Sequence, residues 1–183
     1  MQRSILLNGP KFNITIQRLC HQLIENHHDF SNAVIVGVQP RGIQLSQRIK
    51  TELQEILKID NLPYGEMDIT FFRDDFRRVG TGPLVPNTTN MDFIIENKNV
   101  ILIDDVLWTG RTVRAAMDAL QSFGRPNKVE LLVLVDRRFS RHLPIGADYI
   151  GIQVDSINSQ KVIVNWKETE LEDEIILLNE DEQ

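Results

Sequence analysis

Three short, dominantly apolar runs constrain this chain most: Ala33–Val38, Val100–Ile103 and Val129–Val135, the last broken only by Glu130. A strand with one face in water alternates polar and apolar residues. A strand covered on both faces does not, so these runs read as buried parallel strands. Helical periodicity lies between them. Ile16, Leu19, Cys20 and Leu23 mark an amphipathic helix over residues 13 to 26. Leu45, Ile49, Leu53, Ile56 and Leu57 mark a second, and Val113, Ala116, Met117 and Leu120 a third. Met67, Ile69 and Phe71 alternate as in a strand, and Tyr149–Val154 and Lys161–Trp166 read as later strands. Strands alternating with helices predict an α/β fold with a mainly parallel central sheet. The length of 183 residues suits a single domain over 1–183, ending in an acidic tail from about Glu168 that holds one apolar stretch, Ile175–Leu178.

Composition narrows the function classes. Lys and Arg total 20 against 26 acids, a net charge of −6, so no global basic field favours nucleic acid and any RNA contact needs a local patch. Cys20 is the lone cysteine, which excludes an intrachain disulfide and a cysteine zinc cluster and suits a reducing cytoplasm. Neither a signal-peptide pattern nor a membrane-length apolar run is present, so a cytoplasmic protein without membrane contact is expected. Residues 73 to 92 lack any period, and a loop of that length predicts a functional lid or disorder.

The densest chemical signal is Val100–Thr112. A buried strand ends in Asp104 and Asp105, a short loop follows (Val106, Leu107, Trp108, Thr109, Gly110, Arg111, Thr112), and a helix then begins. Open α/β sheets bind ligands at the carboxyl ends of their strands. Backbone N–H groups at a helix start can hold a dianionic phosphate, and Gly110 lets the backbone come close. Thr109 and Thr112 add hydroxyls. Two carboxylates beside a phosphate suit neutral hydroxyls such as a ribose diol. An acid pair alone is also compatible with an N-capping loop; the coincidence of strand, acid pair, Thr-Gly-Arg-Thr and helix separates the two readings. No G-x-x-x-x-G-K-[ST] occurs, and Gly80-Thr81-Gly82 lies in the aperiodic segment rather than between a strand and a helix.

Ile101–Thr112 resembles the phosphoribosyl-pyrophosphate (PRPP) signature of the type I phosphoribosyltransferases. From about Ile14 to Trp166 the chain is similar to the bacterial bifunctional pyrimidine-operon attenuators with uracil phosphoribosyltransferase activity. Gly65–Asp75, Thr109–Leu120, Val135-Asp136-Arg137 and Leu143-Pro144-Ile145 carry that narrower match. The resemblance implies a type I fold with a small hood and a flexible loop beginning at Arg73. It implies Asp104 and Asp105 on the ribose hydroxyls, the loop to Thr112 on the 5-phosphate, and Gln39-Pro40-Arg41-Gly42 on the pyrophosphate. Arg41 and Arg73, and Arg137 beside them, would face the leaving group. Mg²⁺ would be held through PRPP rather than directly by side chains.

The base would sit near Asp136, Arg137 and a hood at Tyr149, Ile150 and Gly151. Asp136 stands where 6-oxopurine enzymes carry a lysine, which argues against that substrate class; the resemblance implies uracil, with UMP as product or effector. Asp155-Ser156-Ile157 replaces the family's Pro-Thr-Ser and leaves other bases open. The regulatory half of the family implies messenger-RNA contacts at Arg18, His21, Arg138 and Arg141. Gln17, Gly146 and Ile152 depart from that set, so binding weaker than in the full basic set is expected. A homo-oligomer is expected. Two readings of different classes therefore stand at this point: a uracil phosphoribosyltransferase, and an RNA-binding attenuator with vestigial catalysis.

Overall fold

A computed structural model describes residues 2–74, 86–157 and 159–179. Its elements are β1 (Gln2–Asn8), α1 (Gly9–His27), β2 (Ala33–Val38), α2 (Gly42–Leu57), β3 (Tyr64–Met67), β4 (Asn99–Leu107), α3 (Arg111–Leu120), β5 (Lys128–Arg138), β6 (Tyr149–Asp155), β7 (Gln160–Asn165) and β8 (Glu174–Asn179). Five strands form a wholly parallel sheet in the order β3-β2-β4-β5-β6. The three apolar runs of the sequence are its central strands β2, β4 and β5. Both faces are covered, which is why their side chains do not alternate. One face packs on α1 and α2 through Ile16, Leu19, Leu23, Leu45, Ile49 and Leu53, and the other on α3 through Val113, Ala116 and Leu120.

The first helix starts earlier than its periodicity indicates, at Gly9, with Pro10 in the first turn where its missing N–H is no loss. The strand expected through Phe71 stops at Met67. The Asp68 carboxylate accepts hydrogen bonds from the Thr70 N–H at 3.1 Å and the Thr70 hydroxyl at 2.7 Å, and this local bonding turns the chain into a 3-10 turn. Phe71 is left exposed.

A second sheet, β1-β8-β7, is antiparallel and joins the two ends of the chain, with Gln2 opposite Asn179. The apolar stretch of the acidic tail is thus the central strand of this small sheet. It forms the hood over the carboxyl end of the main sheet, and Tyr149–Asp155 does not: that segment is the edge strand β6. Trp166 anchors the hood. Its ring meets Phe12 edge-on at 5.2 Å, and Arg48, ion-paired with Glu168 and Asp173, lies 5.0 Å from its centroid. Of the expected lid, residues 75–85 lie outside the described residues.

Candidate active site

β4 extends through Leu107, so Asp104 and Asp105 lie inside the central strand near its carboxyl end, 5% and 6% exposed. The Asp105 N–H donates to the Asp104 carboxylate at 3.0 Å. Burial raises the pKa of Asp104 well above the usual carboxylate range, and the charge of Asp105 adds to this, while Arg73 and Arg41 oppose it. Burial raises Asp105 as well, against the pull of Arg41. A carboxylate pair so placed favours partners that donate hydrogen bonds to it.

Beyond the strand the chain turns at Thr109 and Gly110. Gly110 has φ 88°, a left-handed conformation that suits glycine, and α3 begins at Arg111. The segment 142–143 braces this turn from outside: the N–H groups of His142 and Leu143 donate to the Thr109 carbonyl at 3.0 and 3.3 Å. Arg141 donates to the Trp108 carbonyl and to the Asp136 carboxylate.

The Gln39–Pro40 peptide is cis, between β2 and α2. The Gln39 N–H donates to the Met67 carbonyl at 2.9 Å, and its side chain donates to the Thr88 carbonyl at 2.9 Å. Gly42 opens α2 against β4, where a Cβ would lie 2.4 Å from the Ile103 carbonyl oxygen and 3.1 Å from the Asp104 Cα. Only glycine permits that approach, which brings the turn holding Arg41 beside the acid pair. The chain after β3 reaches the same place. Arg73 donates to the Thr112 hydroxyl at 3.4 Å, Arg114 donates to the Phe72 carbonyl at 2.9 Å, and Asp74 pairs with Arg111.

These groups surround one cavity of about 960 Å³. Arg41, Arg73, the acid pair and the loop Val106–Thr112 line it, together with Arg137, His142 and the hood residues Gln160, Lys161, Val162 and Val164. Gln39, Pro40 and Gly42 stand behind Arg41 at the sheet end. The hood wall and His142 were not anticipated, because periodicity identifies β7 as a strand without saying what it faces.

The structure does not bring Tyr149, Ile150 and Gly151 to this cavity. They lie on the edge strand β6, two strands from β4, with Ile150 level with Asp104 through Val133, and they do not line the cavity. Tyr149 is buried, and its hydroxyl donates to Glu130 at 3.1 Å in a cluster with His27 and Asn26. Asp136 is buried and ion-paired with Arg141.

Of the residues expected at RNA, His21 is exposed on α1, and Arg18 on the same helix donates to the carbonyls of Ile150 and Gly151 at 3.2 and 2.5 Å. Arg138 is exposed but ion-paired with Asp155 at 2.5 Å.

Among the described residues, no group of three or more His, Cys, Asp or Glu side chains could cage a metal ion, and no helix is long and apolar enough to cross a membrane.

A doubly covered parallel sheet, an acid pair at its carboxyl end and a glycine-led helix start define a phosphoribosyltransferase domain, and the model of the phosphoribosyl transferase domain family matches residues 2–171. Among solved structures, the hypoxanthine phosphoribosyltransferase of Trypanosoma cruzi superposes with a TM-score of 0.69 at 16% identity, covering 96% of this chain and 91% of that one. The fold is shared at that distance. Among curated proteins, the bifunctional protein PyrR of Desulfosudis oleivorans is 44% identical over 176 residues, 96% of each chain. That of Streptococcus mutans is 39% identical over 178 residues, 97% of each. The chain belongs to the phosphoribosyltransferase family, in the branch of the bifunctional PyrR proteins.

Proposed function

We propose that this chain transfers the 5-phosphoribosyl group of PRPP to a nucleobase, uracil first among them, giving UMP and pyrophosphate. The observation that carries the reading is the convergence of Asp104–Asp105, the loop to Thr112, Arg41 and Arg73 on one cavity. In the reaction the bond from C1 of the ribose to the pyrophosphate oxygen breaks and a bond from C1 to the base nitrogen forms. Positive charge grows on the sugar, and negative charge on the leaving group.

Each part of the cavity has a task. Asp104 and Asp105 accept hydrogen bonds from the ribose 2- and 3-hydroxyls and fix the ring. The backbone N–H groups from Val106 to Thr112, with the hydroxyls of Thr109 and Thr112, hold the 5-phosphate. Gln39-Pro40-Arg41-Gly42 faces the pyrophosphate, and Arg41 and Arg73 stabilise its charge as it departs. The base enters between the Asp136–Arg137 end of β5 and the hood strand β7. Closure over the cavity excludes water, which would otherwise attack the activated sugar.

The donor set suits Mg²⁺ carried on the diphosphate: a small hard cation that keeps several waters binds through one or two carboxylates and substrate phosphates, and needs no protein cage. When bound it neutralises charge on the leaving pyrophosphate. Asp104 and Asp105 would be the carboxylates available to such an ion.

Action in the cytoplasm as a homo-oligomer belongs to the same proposal. A second activity, binding of pyrimidine-operon messenger RNA under control of UMP, is favoured by the exposed His21 beside Arg18 on α1. The deciding experiment incubates the protein with PRPP, Mg²⁺ and a panel of bases and identifies the nucleotide made. UMP from uracil is expected. A purine nucleotide as main product would overturn the base assignment, and no nucleotide from any base would overturn the transfer reading.

A further inference from the structure

Arg137 lines the cavity and bonds the connector that leads into the hood. It is 4% exposed. Its Nε donates to the Ser156 hydroxyl at 2.9 Å, and one Nη donates to the carbonyls of Ile157 at 3.2 Å and Gln160 at 2.7 Å. Three of the five N–H donors of the side chain thus hold the connector from β6 into β7. The flat face of the same group lies over Trp108, with its central carbon 4.8 Å from the ring centroid. Ser156 is itself 1% exposed, and its carbonyl accepts a hydrogen bond from the Ser140 hydroxyl at 3.3 Å.

Trp108 lies in the loop proposed to hold the 5-phosphate, and the connector leads directly into the hood strand that lines the other wall. We infer that Arg137 is a positioning residue, which sets the distance between the hood and the phosphate loop by bonding one with its edge and stacking on the other with its face. The inference rests on the phosphoribosyl-transfer reading, since it concerns the alignment of a base with the sugar carbon. It differs from a pyrophosphate clamp in what it needs. A clamp needs positive charge near the leaving group. A spacer needs a planar fork whose edge and face are used together, and lysine supplies neither.

The test compares Arg137→Lys, Arg137→Gln and Ser156→Ala with the wild type. Steady-state kinetics are measured against PRPP and against base, with the active fraction counted from single-turnover amplitude. We expect Arg137→Lys and Arg137→Gln to lose kcat alike, by about a hundredfold, the scale of a misplacement near 1 Å. KM for PRPP stays unchanged, because the acid pair and the phosphate loop keep their own contacts. Ser156→Ala removes one bond of the three and gives a smaller loss of the same kind, and it keeps the test open if the arginine variants do not fold.

Recovery of kcat in Arg137→Lys but not in Arg137→Gln, or a raised KM for PRPP, would identify a charge clamp and overturn the inference. A smaller active fraction with normal kcat per active site would reduce Arg137 to a purely structural residue and overturn it too. A wild-type protein that makes no nucleotide from any base is a distinct outcome, in which the transfer reading fails and the inference falls with it.

Discussion

Replacing both Asp104 and Asp105 with asparagine separates what the acid pair does for the reaction from what it does to the fold. Each carboxylate is proposed to accept a charge-assisted hydrogen bond from the sugar diol, a bond contributing about 1.5–3 kcal/mol. Two such bonds sum to about 3–6 kcal/mol, which at about 1.4 kcal/mol per tenfold is roughly 10²- to 10⁴-fold in kcat/KM for PRPP. Stability should move the other way. Burial raises the pKa of both groups. A carboxyl raised in the fold contributes stability that is fully present below its unfolded pKa and is lost as pH rises through its folded value. At pH 8 the pair therefore opposes folding relative to neutral isosteres. Asparagine removes the charge and keeps an oxygen to accept the Asp105 backbone N–H. The double variant should melt above the wild type at pH 8, and the difference should shrink as pH falls toward about 4, where the unfolded carboxyls begin to protonate as well. Initial rates against PRPP and calorimetry across this pH range read the two effects. Unchanged kcat/KM would refute the assignment to the sugar, and a lower melting temperature at pH 8 would refute the electrostatic argument.

Other expectations rest on separate contacts. Gly42→Ala puts a methyl against the Ile103 carbonyl, so a loss of about 1–3 kcal/mol is expected in denaturant titration, with a raised KM for PRPP as the start of α2 retreats. At the amino end of the sheet, burial pushes the pKa of Glu130 up, but hydrogen bonds from Lys128, His27 and Tyr149 outweigh this and hold it below its ordinary value. Its contribution is present above the unfolded pKa and lost as pH falls through the folded one, so Glu130→Gln should lower stability near pH 7 by about 1.5–3 kcal/mol and flatten the decline on the acid side, read by thermal melts from pH 3 to 7. Titration of pyrimidine-operon leader RNA at two salt concentrations should give weak binding with a shallow salt slope; tight binding with a steep slope would show that the exposed cations of α1 suffice.

The main sheet was legible because its signals are local. An apolar run buried on both faces can be read without knowing its neighbours, and β2, β4 and β5 are such runs. The phosphate loop was legible for the same reason, with acid pair, turn glycine and helix start all within Asp104–Thr112. The hood was not. β1 and β8 are mutual partners, with Gln2 opposite Asn179, and neither has a pattern strong enough to announce a strand alone. In Glu174–Asn179 the apolar residues stand in an acidic stretch, and burial against α1 and the hood partners overrides that local charge. The base side of the cavity suffered most from this. With β8 unrecognised, the later strand β6 takes the place of the hood, and Tyr149–Gly151 are placed at a cavity that this edge strand does not line.

The same difference between residue type and partner governs the arginines. In sequence, Arg18, Arg138 and Arg141 are equivalent cations available to an RNA backbone. In the fold Arg141 is bound to Asp136 and to the Trp108 carbonyl, Arg138 pairs with Asp155, and Arg18 donates to two carbonyls of β6. An RNA phosphate must compete with a carboxylate for Arg138 and Arg141, whereas Arg18 is bonded to neutral carbonyls of β6. The field offered to RNA is therefore smaller than the arginine count implies, and it is concentrated on α1. Displacing Arg141 would also release the Trp108 carbonyl, in the loop proposed to bind the 5-phosphate.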